Sequence, residues 1–526
     1  MWARPCRNWI NLGHLISIKT YLAALLAMVS ALGVEAGNSS HPNVVLIYAD
    51  DLGYGDLSCY GSKLIKTPNI DRLAERGLLF TQGYSTHATC TPSRYSLLTG
   101  EYAWRKNLGI LPGDAPLTIP VATPTLTTLF KNAGYLTGIV GKWHLGLGEA
   151  KKGIDWNGKI APGPNEIGFD DSFIIPATVD RVPCVFVENG RVLGLDEADP
   201  IKVSYTDPIP ESKYPIGHRQ PESKTLMDSC SQHSDTVING LGRIGYMAGG
   251  EKALWNDADI GDVLVERAKT FITDAGKQPF FLFFPTHDPH DPHVPHDRFR
   301  GKSQAGLRGD TIVQFDANVG ELMKFIEDRG MMGNTIFIVT SDNGPIFADG
   351  YEDDDLKFID KHPAAGGLRG GKYSIMEGGT RVPLIVSWPG RIKPGKSDAV
   401  VSQVDFPASF AAILSTPFPT GAAPDSTDKS RILLGDTKAE EHEIVLGDAL
   451  GNLALRQGDW KFFGKGQDTR MTKGNGSIKL GESLFNLRED PSESRNLMDE
   501  NPELAAKMKQ RLAELVKAPV ARVSVP

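Results

Sequence analysis

The sequence predicts a large α/β domain, in which a mainly parallel β-sheet lies between layers of helices, followed by a smaller α+β domain. Residues 43–48 form a continuous apolar run, as in strands that are buried on both faces of a parallel sheet. Apolar residues recur at helical spacing in residues 257–276 and 310–330, and a short apolar run follows each, at 280–284 and 335–340. Alternation of this kind is typical of a parallel sheet covered by helices.

Another short helix is predicted after the first strand. Thr67-Pro68 opens it and Gly77 ends it, while Ile70 and Leu73 lie on its apolar face. The region from about residue 150 to 250, called the middle insertion below, differs from the rest. It is rich in glycine and proline and has weak periodicity. Long insertions of this type often shape a binding site.

Short apolar runs near the C-terminus, at residues 443–446, 453–456 and 460–463, predict a small antiparallel sheet. Asn501-Pro502 begins a final amphipathic helix, whose apolar residues are Leu504, Met508, Leu512 and Leu515. A linker-like stretch at 417–424 precedes this part. The predicted organisation is a signal peptide at residues 1–36, a catalytic domain at 37–425 and a C-terminal α+β domain at 426–526.

Composition and charge limit the classes of function. The chain has 526 residues, of which 40% are apolar and 23% are charged, as in ordinary globular proteins. Its formal net charge of −8 argues against nucleic-acid binding, because the phosphate backbone demands basic surfaces.

The N-terminus predicts a targeting segment. Arg4, Arg7 and Lys19 precede an apolar run at residues 21–32, and small residues near Ala36 offer a cleavage point. The run is short for a membrane span. We therefore expect export to the periplasm or the exterior without stable membrane insertion; the alternative is an uncleaved membrane anchor.

The five cysteines are too few for a disulfide scaffold. Cys6 lies in the predicted signal peptide. Cys184 and Cys230 could form a disulfide in an oxidising compartment, but sequence alone cannot establish the pairing. Cys59 would then be free and buried.

Polar residues follow three of the predicted strands. These are Asp50-Asp51, Thr286 to His290, and Asp342-Asn343. Ligands bind at the carboxyl ends of strands in open α/β sheets. Three carboxylates and an amide oxygen from two such ends suit a hard divalent cation. The alternative for each acidic pair is a helix cap or a turn.

A cysteine turn adds a candidate nucleophile. Pro92 favours a first helical turn in Cys90-Thr91-Pro92-Ser93-Arg94, so Cys90 would lie at a helix N-terminus, which favours anions. The guanidinium group of Arg94 can donate several hydrogen bonds to an oxyanion. An ordinary buried cysteine before a helix is the alternative.

Further cationic candidates lie elsewhere in the chain. Lys142 and His144 would face the same way in an extended segment. Lys372 follows a flexible glycine pair. Lysines are usually solvated surface charges, which is the alternative here. Residues 286–296 hold four histidines spaced by three, but prolines forbid a helical metal-binding face, and we expect at most one or two to be catalytic.

Taken in order, the motifs resemble those of the type I, formylglycine-dependent sulfatases. The motifs are Asp-Asp-x-Gly, Cys-x-Pro-Ser-Arg, Gly-Lys-Trp-His-Leu-Gly, Thr-His-Asp-x-His, Ser-Asp-Asn-Gly and Gly-Gly-Lys-Tyr with Glu-Gly-Gly-Thr-Arg-Val-Pro. The resemblance covers almost the whole mature chain, and within the family the chain resembles the arylsulfatase and carbohydrate sulfatase branch. It implies the alkaline-phosphatase-like fold.

The resemblance also implies roles for individual residues. Calcium, one ion per chain, would be held by Asp50, Asp51, Asp342 and Asn343, with an oxygen of the modified Cys90. Cys90 would be oxidised to Cα-formylglycine by a formylglycine-generating or an anaerobic sulfatase-maturing enzyme. The residues that match those holding the aldehyde hydrate and the sulfate are Arg94, Lys142, His144, His290 and Lys372. Family spacing favours His290 over His293, and Thr178 falls where some members have a serine that contacts sulfate.

The implied activity is hydrolysis of sulfate monoesters. A hydrate carries two hydroxyls on one carbon, so one can attack sulfur and the other can later expel sulfate. His144 is the expected base for the second step, and either His290 or Lys372 is the general acid for the leaving alcohol. Calcium, Arg94 and the two lysines would stabilise the developing charge.

The predicted substrate is a sulfated carbohydrate, of galactose or N-acetylgalactosamine type, such as occurs in sulfated polysaccharides. The segment around Thr178 resembles carbohydrate sulfatases, and Asp180 and Arg181 are the candidate sugar contacts. A structural salt bridge between these two residues is an equal alternative. Two other functions stay open, namely a phosphodiesterase or phosphonate monoester hydrolase with the same site, and a silent glycan-binding pseudo-sulfatase.

Overall fold

A ten-stranded mixed β-sheet forms the centre of the computed structural model, which describes residues 41–518 apart from 437–441, 465, 467, 471–476 and 480. The predicted signal peptide lies outside the described residues. Numbered in chain order, the strands are β1 (Asn43–Ala49), β2 (Leu78–Tyr84), β3 (Leu136–Lys142), β4 (Asp171–Ile175), β5 (Val187–Glu188), β6 (Arg191–Val192), β7 (Lys202–Ser204), β8 (Thr236–Ile238), β9 (Leu241–Arg243), β10 (Tyr246–Ala248), β11 (Phe280–Pro285), β12 (Thr335–Ser341), β13 (Leu384–Ser387), β14 (Gly395–Ser402), β15 (Glu443–Gly447), β16 (Leu453–Gln457), β17 (Trp460–Phe463), β18 (Thr469–Arg470), β19 (Ser477–Ile478) and β20 (Ser483–Asn486).

The strand order across this sheet is β14-β2-β13-β12-β1-β11-β3-β4-β5-β6. The strands β12, β1, β11, β3 and β4 run parallel, so the predicted parallel centre is confirmed. β13 is antiparallel to both of its neighbours, and β5 and β6 form an antiparallel edge. Val45 pairs with Leu282 on one side and with Phe337 on the other, and all three are fully buried. Burial on both faces explains the continuous apolar runs.

Helices cover the sheet in two groups. The described α-helices are Pro68–Glu75, Cys90–Thr99, Leu126–Asn132, Ile260–Ala275, Gly306–Asp328, Glu377–Thr380, Phe406–Ile413, Ser430–Leu433 and Pro502–Lys517. The fifth packs against both the first and the fourth, while the second, third and seventh pack against one another. The helices predicted at 257–276 and 310–330 are therefore present with slightly different ends. The first of them begins only at Ile260, because Asp257–Asp259 forms a 3₁₀ turn.

The C-terminal part is the predicted small α+β unit. β15, β16, β17 and β20 form an antiparallel sheet in that order, and Met508 and Leu512 of the last helix pack on it. β20 was not predicted from the sequence. Lys461 of β17 is fully buried, and its Nζ lies 2.9 Å from carboxylate oxygens of both Glu377 and Glu493, so a charged network joins this sheet to the α/β part. The position of the boundary at 425/426 stays a prediction.

The middle insertion contributes short strands and long loops. β4 continues the main sheet, while β7 pairs with β10 and β8 pairs with β9. Cys184 is buried and Cys230 is exposed, and both are free thiols, so the structure does not contain the disulfide that the sequence allowed. Cys59 is also free, but it is half-buried rather than buried. None of the described helices is long and apolar enough to cross a membrane.

Candidate active site

The polar ends of three adjacent strands meet at one edge of the sheet. β1 lies between β11 and β12, and all three are parallel. Asp50 and Asp51 follow β1, while Asp342 follows β12. Asp51 has a φ of 61°, in the left-handed region, and its backbone N–H donates to Asp342 Oδ1 at 3.2 Å. This turn points the acidic side chains of both strands into one buried site.

The acidic residues of these turns form one cluster with Cys90. One ligand atom each from Asp50, Asp51, Cys90 and Asp342 lies within 4.8 Å of the others, and all four residues are buried. Burial and the neighbouring Asp50 raise the pKa of Asp342 to about 6, which reflects carboxylates crowded in a low dielectric. A cation would relieve this repulsion.

Asn343 supplies an independent test of whether the cluster fits a metal ion. Its Nδ2 donates to Asp51 Oδ1 at 2.7 Å. Its Oδ1 is buried and accepts no hydrogen bond from the described residues. A buried amide oxygen without a donor, beside three carboxylates, is the donor set that calcium prefers. The residues therefore fit the predicted calcium ion.

Cys90 is the first residue of the Cys90–Thr99 helix. Its Sγ lies 3.6 Å from Asp50 Oδ1. Burial raises the pKa of the Cys90 thiol well above its usual range. An unmodified Cys90 therefore offers a neutral thiol, which is a weak nucleophile.

Two buried cations lie behind the acidic cluster. Arg94 Nε and Nη2 donate to Asp342 Oδ2 at 3.0 and 2.7 Å. Lys142 Nζ donates to Asp50 Oδ2 at 2.5 Å, and Arg94 Nη1 donates to the Lys142 carbonyl at 3.1 Å. These side chains partly neutralise the carboxylates and do not line the open pocket.

The open pocket lies on the other side of Cys90. It has a volume of about 190 Å³. Its lining residues are Cys90, Ile110, His144, Thr178, Asp180, Arg181, Gln232, His233, Ile244, His290, Asp349, Lys372 and Tyr373. All of the predicted catalytic residues except Arg94 and Lys142 line it, as do the three predicted substrate-binding residues. Their individual roles stay predictions.

The ring of His144 lines this pocket as a neutral imidazole. Its Nε2 lies 2.9 Å both from the Leu111 carbonyl, which can only accept, and from Arg181 Nη1, which can only donate, so the two contacts favour opposite tautomers. Its Nδ1 is buried and has no hydrogen-bond partner among the described residues. Burial, with Lys142 and Arg181 nearby, lowers the pKa of His144 well below its usual range. The ring is therefore neutral.

Lys372 and His290 form a pair on the opposite wall. Lys372 Nζ donates to Asp51 Oδ2 at 2.8 Å and to Asp349 Oδ2 at 2.7 Å, and it lies 3.3 Å from His290 Nε2. His290 Nδ1 lies 2.6 Å from the Asp291 carbonyl, so Nδ1 donates and Nε2 accepts. Burial and Lys372 lower the pKa of His290 to about 4.

The middle insertion supplies the third wall. Thr178 Oγ1 donates to Asp180, whose Oδ2 lies 3.3 Å from His233 Nε2. Arg181 Nη1 donates to Thr178 Oγ1 at 3.2 Å and lies 2.9 Å from His144 Nε2. Among the described residues the ionic partner of Asp180 within 4.0 Å is therefore His233, not Arg181.

Several pocket residues were not predicted from the sequence. His233 and Gln232 lie in the middle insertion, and Asp349 lies in a loop after β12. Loop residues of this kind show no periodicity and belong to no short motif. Tyr373 follows Lys372 directly and donates to Asp349 at 3.1 Å, so its position in the Gly-Gly-Lys-Tyr motif was the one available signal.

Comparison with known proteins shows to which family the chain belongs. The sulfatase family model matches residues 42–416. The chain belongs to the sulfatase family. This sulfatase is a sulfuric ester hydrolase with the alkaline-phosphatase-like fold, as predicted.

Individual relatives match over nearly the whole chain. The N-acetylgalactosamine-6-O-sulfatase of Bacteroides thetaiotaomicron is 46% identical over 513 residues, which cover 96% of this chain and 99% of that protein. Arylsulfatase A of Homo sapiens is 32% identical and covers 94% of this chain and 90% of its own. A solved B. thetaiotaomicron structure, from work on the metabolism of multiple glycosaminoglycans, has a TM-score of 0.87 at 47% identity. It covers 91% of this chain and all of that chain.

Proposed function

We propose that this sulfatase hydrolyses an O-sulfate ester on a sugar of the N-acetylgalactosamine or galactose type, at the 6-O position. The similarity to a named N-acetylgalactosamine-6-O-sulfatase, at 46% identity across 96% of this chain, carries the proposal. The pocket supports it, because acidic and imidazole side chains from the middle insertion stand beside the candidate nucleophile, where a sugar hydroxyl could donate or accept.

The reaction would depend on two groups. When bound, calcium supplies a counter-charge for sulfate, and formylglycine formed from Cys90 supplies the attacking hydroxyl as its hydrate. Asp50, Asp51, Asp342 and Asn343 would hold the ion, as their donor set supports. A formylglycine-generating or anaerobic sulfatase-maturing enzyme is the implied partner. The predicted signal peptide at residues 1–36 would direct export.

Buried cations set up the nucleophile side of the site. Arg94 and Lys142 bind Asp342 and Asp50, so they fix the orientation of both carboxylates and limit their mutual repulsion. His144 lines the pocket as a neutral imidazole, and its Nδ1 has no competing hydrogen bond among the described residues. It would remove the proton that must leave before sulfate is released.

The leaving-group side is formed by Lys372 and His290. The ammonium group of Lys372 donates toward His290 Nε2 at 3.3 Å, so a proton can pass from Lys372 to His290. Lys372 holds the proton in this structure, so the proton would reach the alcohol oxygen of the sugar from Lys372 directly or by way of His290 Nε2. Asp349 holds Lys372 from the other side at 2.7 Å and thereby directs the ammonium group into the pocket.

The sugar would be selected by the middle insertion. Asp180 is buried at the pocket wall and can accept from a sugar hydroxyl, while His233 keeps it ionised and oriented. Arg181 touches both Thr178 and His144, so it would link sugar binding to the catalytic base. Thr178 would contact sulfate or support Asp180.

A desulfation screen tests this function. The mature enzyme, with its formylglycine content measured by mass spectrometry, is incubated with N-acetylgalactosamine, galactose and N-acetylglucosamine sulfated singly at each available position, and sulfate release is quantified. We expect the highest kcat/KM for 6-sulfated N-acetylgalactosamine or galactose. Preference for a 4-sulfated sugar or for N-acetylglucosamine would refute the proposed specificity. Faster hydrolysis of phosphate diesters would refute the proposed reaction.

A further inference from the structure

A second buried cluster of ligand-type side chains lies behind His290. It comprises Asp291, His293 and Asp353, and one ligand atom from each lies within 4.8 Å of the others. Their exposed fractions are 2, 2 and 4%. None of the three belongs to the predicted calcium site or lines the candidate pocket.

The hydrogen bonds of His293 determine which nitrogen faces the carboxylates. Its Nε2 lies 2.8 Å from the Pro289 carbonyl, and a carbonyl can only accept, so Nε2 carries a proton. Its Nδ1 therefore faces the two acids, 3.2 Å from Asp291 Oδ1 and in contact with Asp353 Oδ2. Either a second proton or a metal ion must lie between this nitrogen and the two acids, because a bare lone pair facing two carboxylates is repulsive.

The cluster also has unused acceptor capacity. Asp291 Oδ1 is buried and accepts no hydrogen bond from the described residues. No described lysine or arginine lies within 4.0 Å of Asp291 or Asp353, and Asp355 brings a third buried carboxylate next to Asp353. A single proton on Nδ1 leaves these acids with an excess of negative charge unless one of them is also protonated, whereas a divalent cation neutralises two of them.

We propose that Asp291, His293 and Asp353 bind a second divalent cation. One imidazole nitrogen with two carboxylate oxygens suits zinc or manganese better than calcium, which prefers an all-oxygen set. The surrounding contacts are those that orient metal ligands. Nε2–H of His293 donates to a backbone carbonyl, while Asp291 Oδ2 and Asp353 Oδ1 accept from the backbone N–H groups of Asp349 and Asp355.

The position of this ion suggests what it does. It would join the segment 289–293 to the loop 348–355. The first segment holds His290, whose Nδ1 donates to the Asp291 carbonyl at 2.6 Å, and the second holds Asp349, which binds Lys372 at 2.7 Å. The ion would therefore fix the two side chains that form the leaving-group wall, without touching substrate.

The decisive measurement is the metal content of the full-length mature enzyme. After exposure to zinc or manganese and gel filtration in calcium buffer, mass spectrometry of the metals should find one equivalent of the transition metal in addition to calcium. The His293→Gln variant should lose the transition metal and keep calcium. His296→Gln is the matched control, because His296 is partly exposed and lies outside the cluster; it should keep both metals.

Thermal unfolding gives a second readout. After removal of transition metals with a chelator in excess calcium, added zinc or manganese should raise the Tm of the wild type and of His296→Gln but not that of His293→Gln. Asp291→Asn, which preserves shape, should behave like His293→Gln. Absence of a second metal in the wild type under all of these conditions would overturn the proposal and leave His293 as an imidazolium between two acids. Retention of the metal by both cluster variants would equally overturn it.

Discussion

Replacing Asp180 by asparagine should separate sugar binding from sulfate hydrolysis. Asp180 lies in the pocket wall with 4% of its surface exposed. One of its oxygens accepts from Thr178, and the other lies 3.3 Å from His233 Nε2. Asparagine keeps the shape and one acceptor but removes the charge. A sugar hydroxyl bound to the carboxylate therefore loses a charge-assisted hydrogen bond, and the nucleophile is untouched.

The expected size of the effect follows from that contact. A hydrogen bond to a charged group contributes about 1.5–3 kcal/mol, and about 1.4 kcal/mol corresponds to a tenfold change in rate. The kcat/KM for the sulfated sugar should therefore fall by about 10- to 100-fold. A small nitrophenyl sulfate reaches only the sulfate end of the pocket, so its kcat/KM should change by less than about threefold.

The assay compares both substrates on the wild type, Asp180→Asn and a control. Asp235→Asn is the matched control, since Asp235 lies in the same insertion but does not line the pocket, and we expect little change on either substrate. Arg181→Ala should impair both substrates, because Arg181 also touches His144. Equal losses for Asp180→Asn on sugar and aryl sulfate, with a lower Tm, would refute the reasoning and assign Asp180 a structural role.

Four other substitutions test the remaining parts of the structure. Cys90→Ser should abolish multiple turnover, measured as sulfate released per enzyme, and sustained turnover would contradict a formylglycine nucleophile. Asn343→Leu should lose bound calcium in metal analysis, because it removes a buried acceptor without a donor. Although burial lowers it, the hydrogen bond with Asp180 raises the pKa of His233 to about 9 from 6.5. The Tm deficit of His233→Gln should therefore be full below pH ~6.5 and vanish above pH ~9; a deficit that grows with pH would contradict the pairing. Lys461→Met leaves the buried Glu493 without an ionic partner among the described residues and leaves Glu377 with Arg381 at 3.6 Å. It should lower the free energy of unfolding by about 3–5 kcal/mol in denaturant titrations, whereas the exposed Lys509→Met should cost under about 1 kcal/mol.

The sequence alone predicted the central strands of the sheet and the polar residues that follow them. Local patterns specify these features, because a strand buried on both faces must be apolar and its carboxyl end must carry the polar groups. Asp50, Asp342 and Cys90 accordingly meet where their motifs placed them. The antiparallel β13 between β2 and β12 could not be predicted, since strand order depends on long-range packing that no local pattern records.

For the same reason, only some of the residues that line the pocket could be predicted from the sequence. Asp349 and His233 reach the site through irregular loops, where spacing carries no signal. The orientation of the Arg94 side chain could not be predicted from the sequence either. Its residue type suggested a contact to the sulfate or the aldehyde hydrate, and that role stays a prediction; in the structure two of its nitrogens bind Asp342. A buried guanidinium takes the carboxylates that surround it, because leaving any of them unpaired in a low dielectric is costly.

The pocket residues come from two separate parts of the chain. Cys90, His290 and Lys372 are held by the strand ends and by one another, while Asp180 and His233 come from the middle insertion and bind each other. Under the proposed function, changes in the insertion would alter which sugar is bound without disturbing Cys90. Arg181 is the exception, because its guanidinium spans Thr178 of the insertion and the ring of His144. Selection for a new sugar should thus change Asp180 or His233 more readily than Arg181, since a change at Arg181 also removes a neighbour of His144, the predicted base.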